Sequence, residues 1–198
     1  MARRPLRGQC GRAGTVTSVF RSSTIDTWGS SAAERADPYP CDALIPHPDR
    51  TLYRAIDVAA PAAVTFRRLC QLRVAPYSYD WIDNLGRRSP RELIDGLDQL
   101  EVGQTFATIF RLAHFDPGRS VTLESKTVAF GDVAMTYAAT AVDATRSRIV
   151  VKIAFRVPRS LYGSVIRRVL PAGDLVMMRK QLLNLRTLAE RDAERVTP

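Results

Sequence analysis

Cysteine, histidine and lysine are all scarce in this chain. Its three cysteines, Cys10, Cys41 and Cys70, are odd in number and far apart. That excludes a disulfide framework and a cysteine zinc site, and a reduced, cytoplasmic setting is the plain expectation. The two histidines, His47 and His114, have no Cys or carboxylate at ligand spacing, so no metal site is expected. No glycine-rich phosphate loop and no nucleophile elbow occurs, and no cofactor is expected. No apolar run approaches the roughly 20 residues that span a bilayer. The N-terminal arginines are not followed by an apolar stretch, so no secretory signal is expected.

What is present fits one domain of ordinary size, 198 residues and 22.0 kDa. Such a chain buries roughly 70% of its unfolded surface, enough for a core and a cavity. Only Lys126, Lys152 and Lys180 are lysines, yet the formal charge is +9. Most of that excess lies between residues 144 and 180, where Arg146, Arg148, Lys152, Arg156, Arg159, Arg167, Arg168, Arg179 and Lys180 face one acid, Asp174. A block like this either meets an anionic partner or forms a solvated face, and the solvated face is the preferred reading.

Residues 1–24, rich in Arg, Gly, Ser and Thr, read as a disordered leader. Residues 25–50 hold Pro38, Pro40, Pro46 and Pro48, which oppose a regular helix or a central strand. With Trp28, Tyr39, Leu44 and Ile45 they are expected to lie irregularly over the surface of a domain spanning residues 51–193. Residues 51–58 form the first strand. Pro61 then opens a helix whose face is Val64, Leu69 and Leu72, ending before Pro76. Residues 77–85 make a turn or two, and residues 87–103 a long loop with room for one short helix. Four strands follow, over residues 104–113, 120–126, 132–142 and 148–157, the first broken off by the Asp116-Pro117-Gly118 turn. The last alternates most clearly, with Ile149, Val151, Ile153, Phe155 and Val157 opposite Arg148, Lys152 and Arg156. Its neighbour carries Val133, Met135, Tyr137, Ala139 and Ala141 on one face, where the alanines leave space. After Pro158 the period becomes helical. A short face (Val165, Ile166, Val169, Leu170) is expected to break at Pro171 and Gly173 before a longer stripe of Leu175, Met178, Leu182, Leu185 and Ala189. Strand, helix, strands, helix without βαβ alternation predicts an antiparallel α+β fold.

That order, with Trp28-Gly29-Ser30 and the 38–46 segment, the Tyr77-to-Leu85 stretch and the Asp174-to-Leu183 stretch, resembles the START-like superfamily. More narrowly it is similar to actinobacterial SRPBCC proteins of the polyketide cyclase-like type, over residues 28–190. The resemblance implies a helix-grip fold, a curved antiparallel sheet wrapped around a long C-terminal helix, with a cavity between them. It implies no catalytic motif that transfers residue by residue.

Tyr77, Tyr79, Asp80, Trp81, Asp83 and Asn84 form the densest cluster of functional residue types. Aromatic rings beside carboxylates can shape a pocket mouth and move a proton next to a carbonyl; they can equally pack and cap a turn. His114, near Arg111, is a further acid–base candidate, so the catalytic candidates are Asp80, Asp83 and His114. The candidate ligand walls are Tyr77, Tyr79, Trp81, Met135, Tyr137, Ala139, Phe155 and Met178, with Met177 beside them and Arg179 to receive a carboxylate. The leading expectation is a binding module for a small, largely apolar partner (a lipid, polyketide-like or isoprenoid molecule). A cyclase or dehydratase using the Tyr79–Asp83 cluster comes second. A nucleic-acid or ribosome-associated module ranks last, because the basic stripe lacks interleaved aromatics for stacking bases.

Overall fold

The computed structural model describes residues 24–107, 109–127 and 131–196. The elements run α1 (Thr24–Thr27), α2 (Ala32–Ala36), α3 (Cys41–Leu44), β1 (Arg50–Val58), α4 (Ala62–Cys70), α5 (Asp80–Asp83), β2 (Thr105–Phe106), β3 (Phe110–Asp116), β4 (Ser120–Thr127), β5 (Gly131–Ala141), β6 (Ser147–Arg156) and α6 (Leu161–Val196). A 3-10 turn, Gln71–Arg73, extends α4.

Alternation along β6 sets the sheet. Ile149, Val151, Ile153 and Phe155 are buried on the inner face, and register carries that row across the neighbours. Ile153 stands opposite Leu52 on β1 and Met135 on β5; Met135 faces Leu123 on β4, which faces Leu112 on β3. All pairings are antiparallel, in the order β1-β6-β5-β4-β3-β2. The helix α6 crosses the concave side of this curved sheet and sends Met178, Leu182, Leu185 and Ala189 into the same core. The fold is the α+β helix grip.

The two ends of the sheet differ from expectation. Residues 104–113 do not make one strand: the chain turns at Ala107, where φ is +40°, and splits into β2 and β3. Residues 87–103 hold bends and turns but no helix. The Gln71 amide fixes this loop by bonding both the carbonyl and the N–H of Ile94, each at 3.1 Å.

The expected break at Pro171 is absent, and α6 runs through it. Proline removes the N–H that would serve the carbonyl four residues earlier. Arg50 supplies a substitute, donating from Nη1 to the Arg167 carbonyl at 3.3 Å, while Arg54 Nη2 reaches the Pro171 carbonyl at 3.4 Å. Alternation puts both arginines on the inner face of β1.

The convex face is covered by residues 31–45, and the segment from residue 24 carries three short helices rather than following a wholly irregular path. Cys41 and Ile45 pack on Ala134 and Ala154, and the Cys41 N–H donates to Thr136 Oγ1 at 3.1 Å. Two residues of the basic stripe of β6, Arg148 and Lys152, meet this cover, while Arg156 is exposed. Lys152 Nζ pairs with Asp42 at 2.7 Å and lies 5.2 and 5.5 Å from the rings of Tyr39 and Tyr53. Arg148 pairs with Glu34 and, at 2.7 Å, with Asp57. The free edge of β1 is shielded as well, since the Ala55 N–H donates to the Trp28 carbonyl at 3.0 Å.

Candidate functional site

Between the concave face and α6 lies an apolar cleft of two lobes. One, about 210 Å³, is walled by Leu52, Val133, Ile153, Phe155 and Leu170, with Ser125 and Thr127. The other, about 410 Å³, is walled by Pro76, Leu85, Ala107, Tyr137, Met177, Met178 and Gln181. Ile109, Phe110, Met135 and Asp174 border both, so the lobes meet. Leu85, 88% exposed, and Ile109, 55% exposed, stand at the rim.

The polar groups along this cleft are few and mostly engaged. The Tyr137 hydroxyl donates to Gln181 Oε1 at 2.9 Å, and Gln181 Nε2 donates to the Pro76 carbonyl at 2.6 Å. Burial pushes the Tyr137 phenol well above its ordinary value, so it stays protonated. Asp174 is held by Arg54, whose side chain is wholly buried: Nη2 lies 2.7 Å and Nε 3.0 Å from Oδ2. Arg54 also donates from Nη1 to the Tyr53 carbonyl at 2.8 Å. Burial pushes the Asp174 carboxyl up to about 6, against the opposing pull of Arg54.

The structure brings together part of the set read from the sequence. Met135, Tyr137, Phe155 and Met178 line the cleft, with Met177 beside them. Ala139 does not. It is packed in the core and borders a separate cleft of about 390 Å³ with His114, Ala141, Pro38 and Ala62. Ala141 is exposed at the strand end, so the space expected above the alanines lies elsewhere, over Met135. Arg179 is exposed with its guanidinium 5.9 Å from the Trp28 ring centroid, and does not border the cleft.

The Tyr77–Asn84 cluster does not converge on the apolar cleft. Tyr77 is buried with φ +55°, its carbonyl accepting from Asn184 Nδ2 at 2.8 Å. Asp80 accepts from the Ser89 N–H at 2.9 Å and from Ser89 Oγ at 2.5 Å, capping the turn after α5. Both border a polar cleft of about 190 Å³ with Arg91, Asn184 and Thr187. Tyr79 is half-buried at the head of α5, and Trp81 is 75% exposed. Asp83 belongs to α5, and its side chain lies outside the described set. His114 is exposed on β3, in another cleft from Asp80. No group of metal-ligating side chains occurs among the described residues. Cys41 and Cys70 are buried free thiols, and burial pushes the Cys70 thiol up to about 12, which removes it as a nucleophile.

Sequence reasoning missed Arg54 and Asp174. Two signals pointed to them. Arg54 sits between Leu52 and Ile56 in the inward row of β1, where a charge is expensive unless paired. Asp174 is the lone acid of a basic block and shares a helix face with Met178 and Gln181.

No protein-family model matches the chain, and no curated protein matches it. Solved structures similar to it include the Zhui aromatase/cyclase from a Streptomyces species, at 19% identity and TM-score 0.45, covering 75% of this chain and 96% of that one. A protein from Chromobacterium violaceum is 14% identical with TM-score 0.48, over 71% and 98% of the two chains. Norcoclaurine synthase from Thalictrum flavum, solved with dopamine and hydroxybenzaldehyde, is 13% identical with TM-score 0.45, over 75% and 89%. These likenesses concern shape alone; by its strand order and its terminal helix, the chain is a helix-grip protein.

Proposed function

We propose that the chain binds a small, largely apolar molecule in the two-lobed cleft between the sheet and α6. The observation that carries this reading is the lining: aliphatic, aromatic and methionine side chains around a space of ligand size, with Asp174 as its charged group. Ligand pockets run about 300–1,000 Å³ and combine an apolar wall with few polar anchors. Met135, Met177 and Met178 let that wall adapt to an irregular guest.

The acid–base alternative through Asp80, Asp83 and His114 has less support, because Asp80 is engaged by Ser89 and His114 borders a different cleft. A phosphate-binding surface on β6 has less support too, because Arg148 and Lys152 are already paired with acids.

The test is organic extraction of the purified protein followed by mass spectrometry, together with titration by a neutral apolar dye such as Nile red. A stoichiometric co-purifying molecule, or saturable dye uptake that Met135→Trp abolishes, is expected. Absence of saturable uptake, or equal uptake by Met135→Trp, overturns the proposal.

A further inference from the structure

We propose that Asp174 makes the cleft select apolar molecules bearing a hydroxyl group, an alcohol or phenol, over the hydrocarbon, carboxylate and ammonium forms of the same skeleton. This rests on the apolar-ligand reading above. Both contacts from Arg54 fall on Oδ2, at 2.7 and 3.0 Å, so Oδ1 is left without a protein partner among the described residues. The Asp174 side chain keeps 17% of its surface exposed, where it borders both lobes. Gln181, the other strongly polar group of the larger lobe, has its oxygen occupied by Tyr137 and its amide nitrogen by Pro76. An arriving ligand therefore meets a largely apolar wall, with the hydroxyl residues Ser78, Ser125 and Thr127 in it, and one charged acceptor, Asp174.

The charge balance decides which donor fits. Arg54 and Asp174 cancel, so the pair presents a strong acceptor with no net charge. A hydroxyl satisfies Oδ1 and adds no charge to the cleft. An ammonium adds an uncompensated buried cation. A carboxylate meets Asp174 as a like charge, and Arg54 cannot receive it because its side chain is wholly buried behind Asp174. A plain hydrocarbon leaves Oδ1 desolvated and unpaired.

The experiment is calorimetric titration at pH 7.5 with naphthalene, 2-naphthol, 2-naphthoate and 2-naphthylmethylammonium. 2-Naphthol is expected to bind about tenfold more tightly than naphthalene, and more tightly than either charged probe. The Arg54→Met, Asp174→Leu double variant removes both charges together, a replacement that buried pairs often tolerate. In this variant 2-naphthol and naphthalene are expected to bind within about twofold of each other. Should this variant fail to fold, the ranking of the four probes on the wild-type chain still decides. Equal binding of all four probes, blocked by Met135→Trp, overturns selection by Asp174 and leaves the cleft standing. No binding of any probe overturns the cleft reading and the selection with it.

Discussion

Arg68 on α4 and Asp192 on α6 form a second buried ion pair, with Nη2 2.5 Å and Nε 2.6 Å from the same carboxylate oxygen. Asp174 and Asp192 lie roughly 27 Å apart along the axis of α6 at 1.5 Å per residue. The helix is thus fastened at two points, to the edge strand β1 through Arg54 and to α4 through Arg68. The apolar cleft lies at the Arg54 fastening, where Asp174 borders both of its lobes.

Removing one member of the Arg68–Asp192 pair leaves an uncompensated charge in a closed environment. Asp192→Ala is expected to cost about 3–5 kcal/mol, read as a lowered midpoint in urea with an unchanged slope. A loss under about 1 kcal/mol would show that Arg68 finds water or another partner in solution.

The pH dependence of Asp174 has a definite sign. Its carboxyl titrates at about 6 in the folded chain, above the ordinary 3.8. Between those values the folded state keeps a proton that the unfolded state has released, so this group's contribution to stability falls as pH rises. It is complete below about 4 and gone above about 6. Asp174→Asn carries no such proton. The melting temperature of wild type relative to this variant should therefore decline from pH 4 to pH 6 and then level off. A difference constant across that range would contradict the assignment.

Ala139 offers a contrast to the cleft residues. Because it is packed in the core rather than lining the cleft, Ala139→Phe is expected to cost about 1–3 kcal/mol through overpacking without changing dye affinity. Met135→Trp should do the reverse, abolishing uptake with little loss of stability. Thermal melts beside dye titrations separate the two, and loss of uptake in folded Ala139→Phe would relocate the binding space.

Gly29 is needed where the N-terminal segment meets β1. Its φ is +75°, and a Cβ there would lie 2.0 Å from the Ala55 carbonyl oxygen. Gly29→Ala is expected to lift this segment, costing more than about 1 kcal/mol and exposing the edge of β1 to other chains. Faster proteolysis within residues 24–45 and a concentration-dependent shift in size-exclusion chromatography are the readouts. Unchanged digestion would show that the backbone there can yield.

The legible parts of the molecule were those governed by local period. The alternation of β6 marks inner and outer residues correctly, and the stripe through Met178, Leu182, Leu185 and Ala189 marks the face of α6 that enters the core. Pro171 misled, because the carbonyl it leaves unserved, on Arg167, is met by Arg50, 117 residues from Arg167 in sequence. The Tyr77–Asn84 cluster misled for the opposite reason. Residue types that could do chemistry are dense there, yet Asp80 is consumed by a turn and Tyr77 by the core. Arg54 and Asp174 were visible as anomalies, but only the fold shows that the two anomalies answer each other.

The 120 residues separating Arg54 from Asp174 also set an order of events during synthesis. At 5–20 residues per second a ribosome needs roughly 6–24 s to make that stretch. β1 lacks its pairing partner β6 until residue 156 is made, and Arg54 lacks its counter-ion until Asp174 is made. The strand that will hold the helix is a nascent segment with an open edge and an unneutralised charge, the kind of surface on which chaperones act. The cleft gains its remaining walls, Ile153 and Phe155 on β6 and Leu170, Met177 and Met178 on α6, only when the last strand and the helix arrive.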